Sequence, residues 1–134
     1  MTRRPTLGVL TLILIAWLAM PGGALAADWR ASPGESLQPL VERASDGDRL
    51  LLPAGRYPGP LKLDRSLTVE AEPGAVIDAG GSGHGVVLEA PGSVIDGLTV
   101  ENWGRDLTAM DSGILVEHTA TGSVIRHSHL EGPG

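Results

Sequence analysis

Pro73-Gly-Ala-Val-Ile-Asp78 returns as Pro91-Gly-Ser-Val-Ile-Asp96 and again as Thr121-Gly-Ser-Val-Ile-Arg126. Each copy follows an apolar alternating run: Leu67-Thr-Val-Glu-Ala71, Val86-Val-Leu-Glu-Ala90 and Ile114-Leu-Val-Glu-His118. A unit of roughly twenty to thirty residues, built of short β-branched strands punctuated by Gly, is the sequence form of a solenoid coil. One coil cannot bury its own apolar face, so it must stack. A β-sandwich would also give many strands, but it does not require a repeated phrase and its strands run longer. The expected fold is an all-β parallel β-helix.

Working outward, strands are expected at 49–52, 61–63, 67–71, 76–78, 86–90, 94–95, 98–101, 114–117 and 124–130. Corners are expected at Pro53–Gly59, Glu72–Gly74 and Ala79–Gly83, where Gly allows positive φ and Pro interrupts a strand. The interval between the second and third copies is longer than the first, and the surplus is mainly Asn102-Trp-Gly-Arg-Asp-Leu-Thr-Ala-Met-Asp111. Core positions of a stack are committed to packing, so such an inserted loop is the natural seat of function.

Residues 1–26 have the order of a secretory leader: Arg3 and Arg4, an apolar run from Leu7 to Met20, then Ala24-Leu-Ala26. The run is shorter than a spanning helix requires. Export, a cleaved leader, a mature chain starting at Ala27 and a periplasmic location are expected, with no stable membrane span in the mature protein. Residues 27–48 hold a candidate capping helix over 36–44, with Leu37, Leu40, Val41 and Ala44 at helical spacing, Ser36 as N-cap and Pro39 in the first turn. Residues 49–134 carry the coils. Gly132-Pro-Gly134 follows a strand-like run with no closing segment, so an N-terminal fragment of a longer, C-terminally incomplete solenoid is expected.

The chain carries a net charge of −6, and loss of the leader removes two arginines and no acid. A polyanion would be repelled, which argues against nucleic acid as a partner. Cysteine is absent, so stability must come from packing and backbone ladders, and a metal would have to use His, Met or carboxylate.

The entry Ala44-Ser-Asp-Gly-Asp-Arg-Leu-Leu-Leu-Pro-Ala-Gly-Arg-Tyr57 resembles the start of right-handed β-helix proteins of the pectin-lyase-like class. Gly74-Ala-Val-Ile-Asp-Ala-Gly-Gly81, Val94-Ile-Asp-Gly-Leu-Thr-Val100 and Arg105-Asp-Leu-Thr-Ala-Met-Asp-Ser-Gly-Ile-Leu-Val-Glu117 resemble the NosD family. The resemblance covers essentially the whole mature segment. It implies a right-handed parallel β-helix and a periplasmic, non-enzymatic role in maturing nitrous oxide reductase. In that role the protein assists sulfur or copper delivery to the tetranuclear copper–sulfide centre. The implied partners are an ABC transporter's membrane subunit, the reductase itself and a copper-donating lipoprotein.

Several residues carry two readings. His118, His127 and His129, with Met110 on the loop, are imidazole and thioether donors suited to copper if they converge. Otherwise His127 is a corner residue, His129 a partly exposed strand residue, and Leu107 with Met110 folds the loop back onto the coil. Asp78 and Asp96, at equivalent repeat positions, would stack on successive coils as an acid–base pair or calcium site. Otherwise they bond corner amides. On that stacked pair, with Trp103 as a sugar platform, rests the competing reading of a carbohydrate-active or carbohydrate-binding β-helix. Glu70, Glu89 and Glu117 read as an exposed acidic ladder, and His84 as incidental. Trp103, Arg105, Asp106 and Asp111 are the candidate partner surface on the loop.

Overall fold

The computed structural model describes residues 26–134, so the leader expected over residues 1–26 lies outside the described residues except for Ala26. In chain order the elements are β1 (Asp28–Arg30), α1 (Gln38–Arg43), β2 (Arg49–Leu52), β3 (Gly55–Pro58), β4 (Leu61–Leu63), β5 (Thr68–Ala71) and β6 (Ala75–Asp78). They continue with β7 (Val86–Leu88), β8 (Val94–Asp96), β9 (Thr99–Glu101), β10 (Ile114–Val116), β11 (Val124–Arg126) and β12 (His129–Leu130). Three sheets result, ordered β1-β2-β5-β8-β11, β3-β6-β9-β12 and β4-β7-β10. Every pairing between strands is parallel, and each strand lies beside the one a coil earlier. This is a parallel β-helix.

Alternation within each short strand sends one set of side chains inward, and in-register stacking turns those sets into aliphatic columns. Leu50, Val69, Ile95 and Ile125 form one. Tyr57, Ile77, Val100 and Leu130 form the second, and Leu63, Leu88 and Val116 belong to the third. Within a column the side chains from Leu50 to Ile95, Tyr57 to Val100 and Leu63 to Leu88 are fully buried, whereas Ile125, Leu130 and Val116 on the last coil are 41–49% exposed. Outside, coils are tied by charge. Arg49 grips both oxygens of Asp28 at 2.9 Å, and Lys62 meets Glu89 at 3.1 Å.

The phase of the repeat differs from the expectation. The copies at 91–96 and 121–126 are in register, Val94 beside Val124 and Asp96 beside Arg126. The copy at 73–78 belongs to the neighbouring sheet, where Asp78 lies beside Glu101. The same turn–strand phrase therefore serves two corners. Asp78 and Asp96 do not stack, and Glu70, which lies beside Asp96, stands apart from Glu89 and Glu117. Three further elements depart from the sequence pattern. Gly55–Pro58 is a strand despite its Gly and Pro, because Tyr57 fills the core at 0% exposure. The run 124–130 is split by His127, whose φ of 52° ends β11. β1 was also not anticipated from the sequence.

Helix α1 begins at an N-cap, Leu37, that makes no side-chain cap bond, so Ser36 is not the cap. The Gln38 carboxamide compensates at the edge of β4: its Nε2 donates to the Lys62 carbonyl and its Oε1 accepts from the Lys62 N–H, both at 3.1 Å. One side chain thus makes the two bonds a neighbouring strand would make. The Arg65 guanidinium donates to the carbonyls of Val41, Glu42 and Ala44, satisfying the helix C-terminus.

The buried Tyr57 hydroxyl donates to the Pro53 carbonyl at 2.6 Å. Tyr57→Phe should keep the packing and leave that carbonyl unpaired, at about 1 kcal/mol. Thermal denaturation followed by circular dichroism should show a Tm lower by about 5 °C. An unchanged Tm would mean that water replaces the hydroxyl.

Candidate functional site

The inserted loop leaves β9 through Asn102, whose positive φ of 63° turns the chain outward while its side-chain amide donates to Asp78 Oδ1 at 2.8 Å. Asn is among the few residues that tolerate this conformation. Trp103 does not project as a platform. It is partly buried, packs against the core, and its ring lies over the Gly113 backbone. Gly104 N–H donates to the Gly83 carbonyl at 3.0 Å, tying the loop to the preceding coil.

Beyond Gly104 the loop closes on itself. Asp106 Oδ1 accepts the N–H groups of Thr108 and Ala109 at 2.9 and 3.1 Å, and Asp111 Oδ2 accepts the Asp106 N–H at 2.9 Å. The Asp111 N–H returns to the Asp106 carbonyl at 3.0 Å, and Met110 sits at φ 58°. Asp106 and Asp111 are therefore the clasp of the loop. Arg105 donates to the Gly134 carbonyl. The tip presents Leu107 at 91% exposure and Met110 at 65%, so these side chains point away from the coil rather than folding back onto it. Clasping by aspartates at both ends is what allows an apolar tip to stand clear of the surface.

At the loop's base lies a concavity of about 410 Å³ lined by residues that include Arg56, Tyr57, Asp78, Gly80 and Asn102. The Arg56 guanidinium bonds Asp78 Oδ2 at 2.8 Å and also reaches Glu101, two acids on successive coils. Arg56, the Asn102 amide and the Gly80 N–H together hold the Asp78 carboxyl down to about 2. Asp78 is thus a committed ion-pair partner. The Asp78–Asp96 pair on which the glycosidase reading rests is not assembled, since Asp96 lies in the neighbouring sheet beside Glu70. Arg56 and Glu101 escaped notice in the sequence because their alignment depends on the phase of the coils.

Because the folded pKa of Asp78 lies below the roughly 3.9 of an unfolded aspartate, its contribution to stability is complete above about pH 4. It is lost as pH falls toward 2. The carboxyls of Asp28, Asp48 and Asp96 are lowered as well, each by hydrogen bonds to its carboxylate. The Tm of Arg56→Ala should therefore lie below wild type at pH 6 and converge with it near pH 2. Parallel melting curves at the two pH values test this, and a constant gap would refute it.

The histidines do not converge. His127 Nδ1 lies 3.0 Å from Asp96 Oδ1, while His129 Nε2 lies 3.3 Å from Glu131 Oε1. With His127 at a corner and His129 opening β12, the two are not alternate residues of one strand. His118 is exposed beyond β10, and Met110 is on the loop tip. Among the described residues no group of three or more His, Asp or Glu could hold a metal ion. This donor set does not fit a resident copper. His84 Nδ1 is buried without a hydrogen-bond partner.

A Pseudomonas aeruginosa PAO1 protein described as a probable ABC transporter binding protein NosD is 44% identical over 105 residues, 78% of this chain and 24% of its own length. A Stutzerimonas stutzeri protein of the same description is 35% identical over the same shares. A further Pseudomonas aeruginosa sequence so described is 37% identical over 90 residues, 67% of this chain and 83% of its own length. The chain spans about a quarter of the length of the first two. No family model and no solved structure matches.

Proposed function

Because this chain belongs to the NosD family, we propose that it serves an ABC transporter as a periplasmic accessory protein and meets the transporter's membrane subunit through the 102–111 loop. The observation that carries this reading is the clasped loop with Leu107 and Met110 exposed at its tip. An apolar pair held on a preorganised loop loses little entropy on docking and gains about 1.5–3 kcal/mol per side chain buried. A protein cleft suits it better than an anionic bilayer, which would repel a chain of net charge −6. Among the described residues no helix is long and apolar enough to cross a membrane.

The finer reading concerns cargo. We propose that the transporter and this protein together assist delivery of sulfur or copper to the tetranuclear copper–sulfide centre of nitrous oxide reductase, with a copper-donating lipoprotein as a further partner. The part played is scaffolding and docking rather than catalysis. Copper is cargo here, in keeping with histidines that stand apart.

Two experiments separate the two levels. Leu107→Asp in the complete protein should reduce co-purification with the transporter's membrane subunit at least tenfold while leaving Tm unchanged, since the side chain is 91% exposed. Undiminished co-purification would remove the loop from the interface. Deleting the gene should yield a reductase that keeps its electron-transfer copper but lacks the tetranuclear cluster, read by copper and sulfide content and the visible spectrum. A fully assembled reductase would overturn the cargo reading.

A further inference from the structure

Among the described residues Asp48 is the one charged residue of the buried polar ones, at 6% exposure. Its carboxylate accepts three N–H groups: Ala27 N on Oδ1 at 2.9 Å, and Trp29 Nε1 and Ser45 N on Oδ2 at 3.0 and 2.8 Å. None of these donors is a lysine or arginine. A buried carboxylate held by neutral donors alone is unusual, because such charges are ordinarily paired.

One of the three donors can become a cation. Ala27 N is a neutral amide while Ala26 precedes it and an ammonium once the Ala26–Ala27 bond is cut. Ala24-Leu-Ala26 is the small-residue pattern at which a leader is removed. Ala27 is also where the chain joins the stack. Its carbonyl accepts the Arg49 N–H at 2.9 Å, and β1 begins at the next residue, with Asp28 gripped by Arg49. Ala26 and Ala27 are exposed, so the bond stands at the surface.

We propose that the Ala26–Ala27 bond is the processing site and that the ammonium created there forms an ion pair with Asp48, locking the first strand of the helix. In the step, a signal peptidase adds water across the amide. The Ala26 carbonyl carbon gains the hydroxyl oxygen, the C–N bond breaks, and the leaving nitrogen takes up protons. The products at neutral pH are an Ala26 carboxylate and an Ala27 ammonium. An α-amino group has a pKa near 7.7–8.0 when free, so it is mostly charged even before Asp48 raises it. The pair converts a neutral hydrogen bond into a charge-assisted one, roughly twice as strong. Removal of the leader thereby completes the entry to the stack.

The test uses the complete protein recovered from the periplasm. Intact mass should show a chain starting at Ala27. A variant with Ser-Gly inserted between Ala26 and Ala27, which moves the ammonium away, should melt about 4 °C lower. In an Asp48→Asn background the same insertion should cost nothing further. Should Asp48→Asn fail to fold, nitrogen-15 NMR of the α-amino group gives the same answer, its pKa lying about one unit higher in the mature protein than in the insertion variant. A start elsewhere than Ala27, an insertion without effect on Tm, or an unshifted amine would overturn the proposal.

Discussion

Gly104→Ala is expected to open the 102–111 loop and lower Tm by about 10 °C, and on the docking proposed above it abolishes co-purification with the transporter. Gly104 is buried, and a methyl group there would collide with the Asp111 carboxylate while lying 2.7 Å from the Gly83 backbone nitrogen. The backbone cannot retreat, because Gly104 N–H is bonded to the Gly83 carbonyl. Asp111 must therefore swing out, and with it goes the bond from the Asp106 N–H. Overpacking of this kind costs about 1–3 kcal/mol, and the lost hydrogen bonds add about 1 kcal/mol more. Hydrogen exchange should show the Asp106 and Asp111 amides losing protection while Val69 and Ile95, deep in the stack, keep theirs. Gly122→Ala, where a methyl group meets nothing but the φ of 71° strains any other residue, is the control for strain without collision: it should cost about 1 kcal/mol and leave the Asp106 and Asp111 amides protected. Retained protection at Asp106 in Gly104→Ala would show that the clasp does not depend on Asp111.

The second large effect is expected in the core. Leu63→Ala removes a fully buried side chain from the column it shares with Leu88, and β-helix rungs on either side are fixed by backbone ladders that limit collapse into the void. A loss of about 2–5 kcal/mol follows, a large part of the stability of a domain this size. Urea unfolding should report it as a fall in midpoint at constant m. Ile125→Ala, in a column position that is 41% exposed, should cost far less. Equal costs at the two positions would contradict the burial pattern.

Repetition made the architecture legible before any coordinates. The alternation in Leu67–Ala71 and Val86–Leu88 marks half-buried strands, and a phrase repeated with Gly at its turn implies stacking. Phase was not legible. Pro73–Asp78 and Pro91–Asp96 are near copies in sequence yet occupy different sheets, because a tight turn followed by an alternating strand fits more than one corner of a coil. That single ambiguity explains why Asp78 and Asp96 looked like neighbours, and why the Arg56, Asp78 and Glu101 cluster was missed. His127 illustrates a second limit. Nothing local in Val124–Leu130 signals a left-handed residue, and only its place beside Gly97, itself at φ 80°, explains the break. The loop was found by its length, whereas its clasp required knowing that Asp106 and Asp111 face each other.

Three successive coils cross from the β3-β6-β9 sheet to the β4-β7-β10 sheet at the same corner, and the crossing grows from the two residues between β3 and β4 to the long span between β9 and β10. Each doubling of such a loop adds only about 0.6 kcal/mol of closure entropy, and no buried column passes through it. That corner is therefore an axis of variation separate from the fold. A lineage can lengthen, reshape or exchange one overhang while the buried columns stay unaltered, remaking only the bonds to the next overhang such as that from Gly104 to Gly83, so recognition can diverge coil by coil along a frame inherited intact.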